Sequence, residues 1–142
     1  MATSTYLSNC RVQVGNPTAN IDITDQCSGA TVTIGYDPLV TDAFGKNYHS
    51  NTSGLQANEV QLDLYASFVA SETYATLKSL VGVGTCQVII TPDPDAAVSA
   101  TNPAMTFSNT MLAALPLVTA VGALGTYSVT FLAGSYAEDI TP

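Results

Sequence analysis

Residues 71–82, SETYATLKSLVG, are the one stretch of this chain that reads convincingly as a helix, and they are set among segments written for strands. Ser71 is placed to cap the start, and Glu72 puts an acid in the first turn. Lys78 puts a base in the last turn, and Gly82 and Gly84 stop the helix. Tyr74, Leu77 and Val81 recur at three- and four-residue spacing, so one stripe is expected to pack on a sheet. So short a helix cannot enclose a core by itself. The pattern predicts a small β-domain with this helix as a lid over one open end or face.

The strands are marked by period-2 alternation. Residues 6–14 place Tyr6, Ser8, Cys10, Val12 and Val14 on one face. A short strand is expected over 19–24, a turn over 25–29 and a strand over 30–36. Residues 59–68 alternate strongly: Val60, Leu62, Leu64 and Ala66 share a dry face, and Glu59, Gln61, Asp63 and Tyr65 a polar one. Residues 86–91 form a nearly continuous apolar strand, which Pro92 and Pro94 end because neither has a ladder N–H. Residues 104–113 read as a strand with Met105, Phe107, Asn109 and Met111 on one face. Residues 115–125 read as an irregular crossing, 126–132 as the last strand and 134–142 as a tail. There is no internal repeat, and residues 1–142 read as one domain, a usual size for a single core.

Residues 37–58 lose periodicity and are rich in Pro, Gly, Asn, Ser and Thr. A loop this long is uncommon inside a compact domain unless it has a function. It carries Phe44, Tyr48 and Leu55, which are costly to leave in water, and Lys46. A long polar segment with aromatic anchors fits a docking arm that orders against a partner; the plain alternative is a loop folded back on its own domain.

Charge is sparse and one-sided. Eleven acids face three bases, Arg11, Lys46 and Lys78, for a net charge of −8, and charged residues make up 10% of the chain. Ordinary proteins carry about 25%. So few charges suit either surfaces buried against neighbours or a monomer coated in Thr, Ser and Asn, and composition leaves both open. Three bases make a poor nucleic-acid binder, since affinity for DNA comes mostly from cations neutralising phosphates. An acid-lined surface would instead let DNA slide past. No apolar run reaches the ~18 residues of a membrane span, and MATSTYLSNC lacks a secretory pattern, so assembly in a cytoplasm is expected.

No cluster of reactive side chains points to catalysis. Cys10, Cys27 and Cys86 are an odd number without C-x-x-C spacing, and read as core thiols. Asp93 and Asp95 fit a turn better than a calcium loop, because PDPDAAVSATNP lacks the later ligands. His49, Ser50 and Asp42 share one loop with no rigid elbow to hold a nucleophile. Neither an enzyme nor a cofactor is expected.

The order of elements carries a resemblance. Thr24-Asp25-Gln26-Cys27 leads to ATVTIGY, then Thr41-Asp42-Ala43-Phe44-Gly45, Gly54-Leu55, EVQLDLYASF and the helix, followed by CQVIITPDPDAAVSATNPAMTF and GALGTYSVTF. In that combination the chain resembles, over nearly its whole length, the major tail (tail tube) proteins of long-tailed non-contractile bacteriophages, especially those of actinobacteria. The resemblance implies a β-sandwich or small barrel with one flanking α-helix and a long inter-subunit loop. It implies homohexameric rings, stacked into a virion tail tube that is the conduit for genome ejection. Its expected partners are further copies of itself, the tape-measure protein, the tail terminator and the tail tip proteins. Viral DNA would pass through the lumen without specific binding, and no membrane is involved. Carried onto this chain, the resemblance makes Phe44, Gly45, Lys46, Tyr48, Gly54 and Leu55 inter-subunit contacts. Glu59 and Asp63, on the polar face of a strong strand, become lumen-facing acids. The rival readings are a tail terminator or completion protein, which forms one ring, and a decoration or carbohydrate-binding Ig-like module, which the absence of tryptophan disfavours.

Overall fold

The computed structural model describes residues 10–70, 72–132 and 134–141, and is mainly β with one α-helix among those residues. The strands are β1 (Arg11–Asn16), β2 (Ala19–Asp22), β3 (Cys27–Thr33), β4 (Tyr36–Val40), β5 (Asn51–Gln56) and β6 (Glu59–Tyr65). The helix α1 (Thr73–Leu80) follows, then β7 (Cys86–Thr91), β8 (Ala104–Leu112), β9 (Leu117–Val118), β10 (Thr126–Leu132) and β11 (Ser135–Asp139).

Two antiparallel sheets share β8. One runs β2-β1-β7-β8, with β11 on the far edge of β8; the other runs β3-β6-β10, with β9 and the end of β8 along β10. Alternate side chains of both sheets meet in one core. Val12, Val14, Val88, Ile90 and Phe107 come from the first, and Val60, Leu62, Leu64, Tyr127, Val129 and Phe131 from the second. The dry face expected of β6 is therefore the core face of the second sheet.

Strand β8 departs from its predicted alternation. Phe107 points inward, but so do Thr110 and Leu112, while Asn109 is exposed. An extra residue on β8 shifts the register against β7, and Asn109 takes a φ of 57° there. A bulge inserts one residue, so every side chain beyond it changes face. Gly134 (φ 88°) lies against this kink: a Cβ there would sit 2.4 Å from the Ser108 carbonyl oxygen. The predicted tail beyond it is the strand β11, which pairs with β8 from Ser135↔Ser108 to Asp139↔Ala104.

The helix is shorter than the sequence pattern, and its buried stripe is Thr73, Thr76, Leu77 and Leu80 rather than Tyr74, Leu77 and Val81. Half of that stripe is threonine, which hides it from a hydrophobicity count. Thr73 Oγ1 donates to the Tyr65 carbonyl at 3.0 Å and accepts from Ser67 N–H at 2.9 Å, so the helix entry is bonded to the end of β6. Glu72 occupies the N-cap position rather than the first turn. Ser71 and residues 6–9, for which a cap and a strand face are predicted, lie outside the described residues. At the far end Gly82 (φ 81°) turns the chain and its N–H bonds the Leu112 carbonyl at 2.9 Å.

Candidate assembly surfaces

The segment 37–58 is irregular only in part, chiefly over the tip at 41–50. Strands β4 and β5 form a two-stranded hairpin that continues the β3–β6 ladder. Thr33↔Glu59, the Ala57 N–H to Gly35 carbonyl bond at 2.8 Å, and Tyr36↔Gln56 keep one register, so a single ribbon runs out of the body. No residue of β4 or β5 is buried. A ribbon wet on both faces has no reason to alternate apolar and polar residues, so the pattern of a half-buried strand is missing. The paired part of β5 alone is about 20 Å long at ~3.3 Å per residue.

Along this arm Tyr36, Leu39, Val40, Phe44, Tyr48 and Leu55 stand in solvent; Leu55 is 81% exposed and Phe44 fully so. Gly54 faces a register shift, where a Cβ would lie 3.0 Å from the Asp37 carbonyl oxygen and 3.2 Å from Leu39 Cγ. Gly45 (φ 89°) makes the tip turn. The tip is held by Asp42: its Oδ1 accepts Ser50 N–H at 2.7 Å and its Oδ2 lies 2.8 Å from His49 Nδ1. The His49 contact, and then the Ser50 N–H bond, hold the Asp42 carboxyl below its ordinary range. Ser50 Oγ is engaged by Thr41 Oγ1 at 3.0 Å and Lys46 Nζ at 3.3 Å, and Lys46 Nζ also sits 5.8 Å from the Tyr48 ring centre. Asp42, His49 and Ser50 therefore meet as a turn clasp.

The root of the arm rests on Asn58, which sequence reasoning missed. It is 3% exposed. Its Oδ1 accepts Gly35 N–H at 3.3 Å, and its Nδ2 donates to Gln56 Oε1 at 2.9 Å and to the Gly134 carbonyl at 3.1 Å. Gln56 Oε1 also accepts the Tyr136 N–H at 3.1 Å. An asparagine at a strand boundary looks like ordinary turn chemistry; only its burial reveals the joint.

Glu59 and Asp63 share the outer face of the second sheet. Registers across β3, β6 and β10 align Thr33–Glu59–Leu132, Thr31–Gln61–Thr130 and Gly29–Asp63–Ser128. These rows carry the hydroxyls of Thr31, Thr33, Ser128 and Thr130, the Gln61 amide, the exposed Leu132 and two exposed acids, and Gln61 Nε2 donates to Ser128 Oγ at 3.3 Å. The bases lie elsewhere: Arg11 on β1, Lys46 at the arm tip and Lys78 on α1.

A third surface lies at the opposite end of β6. Leu117, Val118, Val121 and Leu124 are exposed in the segment 113–125, as are Phe68 and Val69 just after β6. The Ala66 N–H bonds the Gly125 carbonyl at 2.8 Å, and Thr126 pairs with Tyr65, which fixes both segments to that end of the sheet.

No protein-family model matches this sequence, and no curated protein matches it. Solved structures share the fold. A chain of the tail of an empty gene transfer agent particle, refined with helical and C6 symmetry, superposes with a TM-score of 0.72 at 6% identity, covering 96% of this chain and 99% of that one. A chain of the SPP1 tail tube gives 0.71 at 9% identity, over 93% of this chain and 78% of that one. A chain of the PVC contractile injection system, from its sheath/tube terminator in the extended state, gives 0.69 at 14% identity, over 97% and 98%. At these identities the likeness is one of fold.

Proposed function

We propose that this chain is a structural subunit of a phage-like tail tube, of the long-tailed non-contractile kind its sequence resembles. The observation that carries the reading is the arm: an ordered ribbon leaves the body carrying large apolar side chains with no buried residue along either strand. Such a ribbon costs free energy in an isolated chain and is stabilised when a neighbour covers it. The fold supports the same reading, since it is shared over nearly the whole chain with tail and tube chains of several particles.

Six copies form a ring, as in the C6 tail with the same fold. Strand β3 ends the second sheet, and β9 and β8 cover only the two ends of the far edge of β10. Open edges invite pairing. Joined edge to edge, the second sheets make one inner barrel whose lumen carries the hydroxyls of β3 and β10, Gln61 and Leu132 with Glu59 and Asp63. Phe44, Gly45, Lys46, Tyr48, Gly54 and Leu55 act in the arm's contact with a neighbouring copy. The rings stack into a tube along a tape-measure protein, between tail tip and terminator proteins. They assemble in the host cytoplasm, and DNA leaves through the bore without being gripped. The role is structural, with no catalytic step and no cofactor.

A tube terminator is the second reading, favoured by the likeness to a chain of a sheath/tube terminator complex. A terminator stops at one ring, whereas a tube subunit propagates. Negative-stain microscopy of the purified protein over a concentration series tests this. Hollow tubes or stacked rings are expected. Rings that never stack favour the terminator, and monomers that stay dispersed even after a tail-tip complex is added overturn both readings.

A further inference from the structure

We infer that the apolar surface at the Tyr65 end of β6, made by Phe68, Val69, Leu117, Val118, Val121 and Leu124, is the seat for the arm of another copy of this chain. The inference deepens the stacked-tube reading and rests on it.

Four observations select the occupant. The patch is built from segments without a formal charge, residues 65–70 (YASFVA) and 113–125 (AALPLVTAVGALG), and the charges beside it are already engaged, Glu72 by the Ser67 hydroxyl and Lys78 by the Tyr74 ring. Its complement is an apolar guest, and the arm supplies one: Leu39, Val40, Phe44 and Leu55 are as exposed as the patch itself. The two surfaces lie at opposite ends of one ladder. The arm leaves the body at Glu59, and the patch is fixed at Tyr65, where Thr126 pairs. The arm prolongs the β3–β6 ribbon in register as far as Tyr36↔Gln56, ahead of a one-residue shift, so it leaves from the Glu59 end, away from the patch. A copy displaced along that direction by one body length therefore presents its patch to the arm.

The contact joins two different patches, so it is head-to-tail. Head-to-tail contacts that do not close propagate as a stack, whereas a patch meeting its own copy would close as a twofold dimer. Each interior copy would cover both of its apolar surfaces by the same contact, used once as guest and once as host.

Photo-cross-linking tests this directly. The chain is made with benzoylphenylalanine at position 44, mixed with isotopically heavy chain, assembled and irradiated, and the cross-linked peptides are mapped by mass spectrometry. The expected product joins position 44 of a light chain to residues 65–70 or 113–125 of a heavy one. Assembled tubes whose cross-links go to any other segment overturn the inference and leave the tube reading intact. A chain that assembles no rings or tubes even with a tail-tip complex added overturns the tube reading and this one with it. A second variant, Val121→Asp with Leu124→Asp, changes two solvent-exposed side chains, so the fold is expected to be kept. It should give wild-type circular dichroism and need at least ~10-fold more protein for tubes to form. Folded variant that builds tubes at the wild-type concentration overturns the inference.

Discussion

At the scale of single residues, backbone geometry and short-range charge decide what each position tolerates. Asn109 and Gly134 face each other where β8 changes partners, and both hold positive φ. Gly134→Ala adds a Cβ into the Ser108 carbonyl and a strained backbone, and should destabilise the chain by ~1–3 kcal/mol. Asn109→Gly, which relieves the left-handed conformation, should stay within ~0.5 kcal/mol of wild type. Urea unfolding of the two variants checks the contrast; equal losses would mean that the corner is not set by backbone conformation. At the arm tip, Asp42 is held below its ordinary value of 3.8 by the His49 contact and the Ser50 N–H. A depressed carboxyl stabilises the fold above its unfolded pKa and loses that effect as pH falls through its folded pKa. The Ser50 amide signal should therefore shift only below the ordinary carboxyl range. His49→Ala should raise the Asp42 pKa toward 3.8 in a carboxyl NMR titration, and high salt should weaken the difference, since both groups face water.

At the scale of elements, burial and exposure separate folding from assembly. Asn58 satisfies three bonds at the root of the arm while nearly sealed from solvent. Asn58→Ala leaves the Gly35 N–H and the Gly134 carbonyl without this partner and should cost ~1–3 kcal/mol. It should also raise hydrogen exchange across β4 and β5. Leu39→Ser with Leu55→Ser should do the opposite: stability within ~0.5 kcal/mol, because neither side chain is buried, but loss of tubes by microscopy. Tubes of normal yield from that double variant would remove the arm from the interface. The same distinction explains what the sequence made legible. Strands β6, β7 and β10 were readable because one face of each is dry, and that dryness writes alternation or an apolar run into the sequence. The arm was readable as a distinct segment bearing apolar groups, Phe44, Tyr48 and Leu55, but not as strands, because neither of its faces is dry. The far half of β8 was misread because one bulged residue reverses its faces. Strand β11 was missed because its pairing with β8 is backbone work, with Tyr136 its only half-buried residue. Glu59 and Asp63 were placed on one face by alternation alone, whereas Asn58 needed the fold.

At the scale of the whole molecule, the question is where the negative charge points. The chain carries −8, yet its three bases all lie off the face that holds Glu59 and Asp63. If that face lines the bore, each ring repeats a belt of hydroxyls, amides and acids with no cation among the aligned residues of β3, β6 and β10. DNA passing through meets repulsion from the acids and only uncharged side chains between them, hydroxyls, the Gln61 amide and Leu132. The double variant Glu59→Lys with Asp63→Lys reverses that belt. Both side chains are exposed on the polar side of β6, so folding and ring contacts should survive and tubes should look normal. Their interior should now bind DNA, and more weakly as salt rises, because lysines that neutralise phosphates release counterions. Ejection from particles built with the variant should slow, with the largest delay at low ionic strength. A delay independent of salt would point to altered tube structure rather than to charge. Normal ejection together with no salt-sensitive DNA retention would place the acids outside the bore. The lumen would then have to be sought on the other sheet, whose β1 carries Arg11, a cation that a non-gripping channel has no use for.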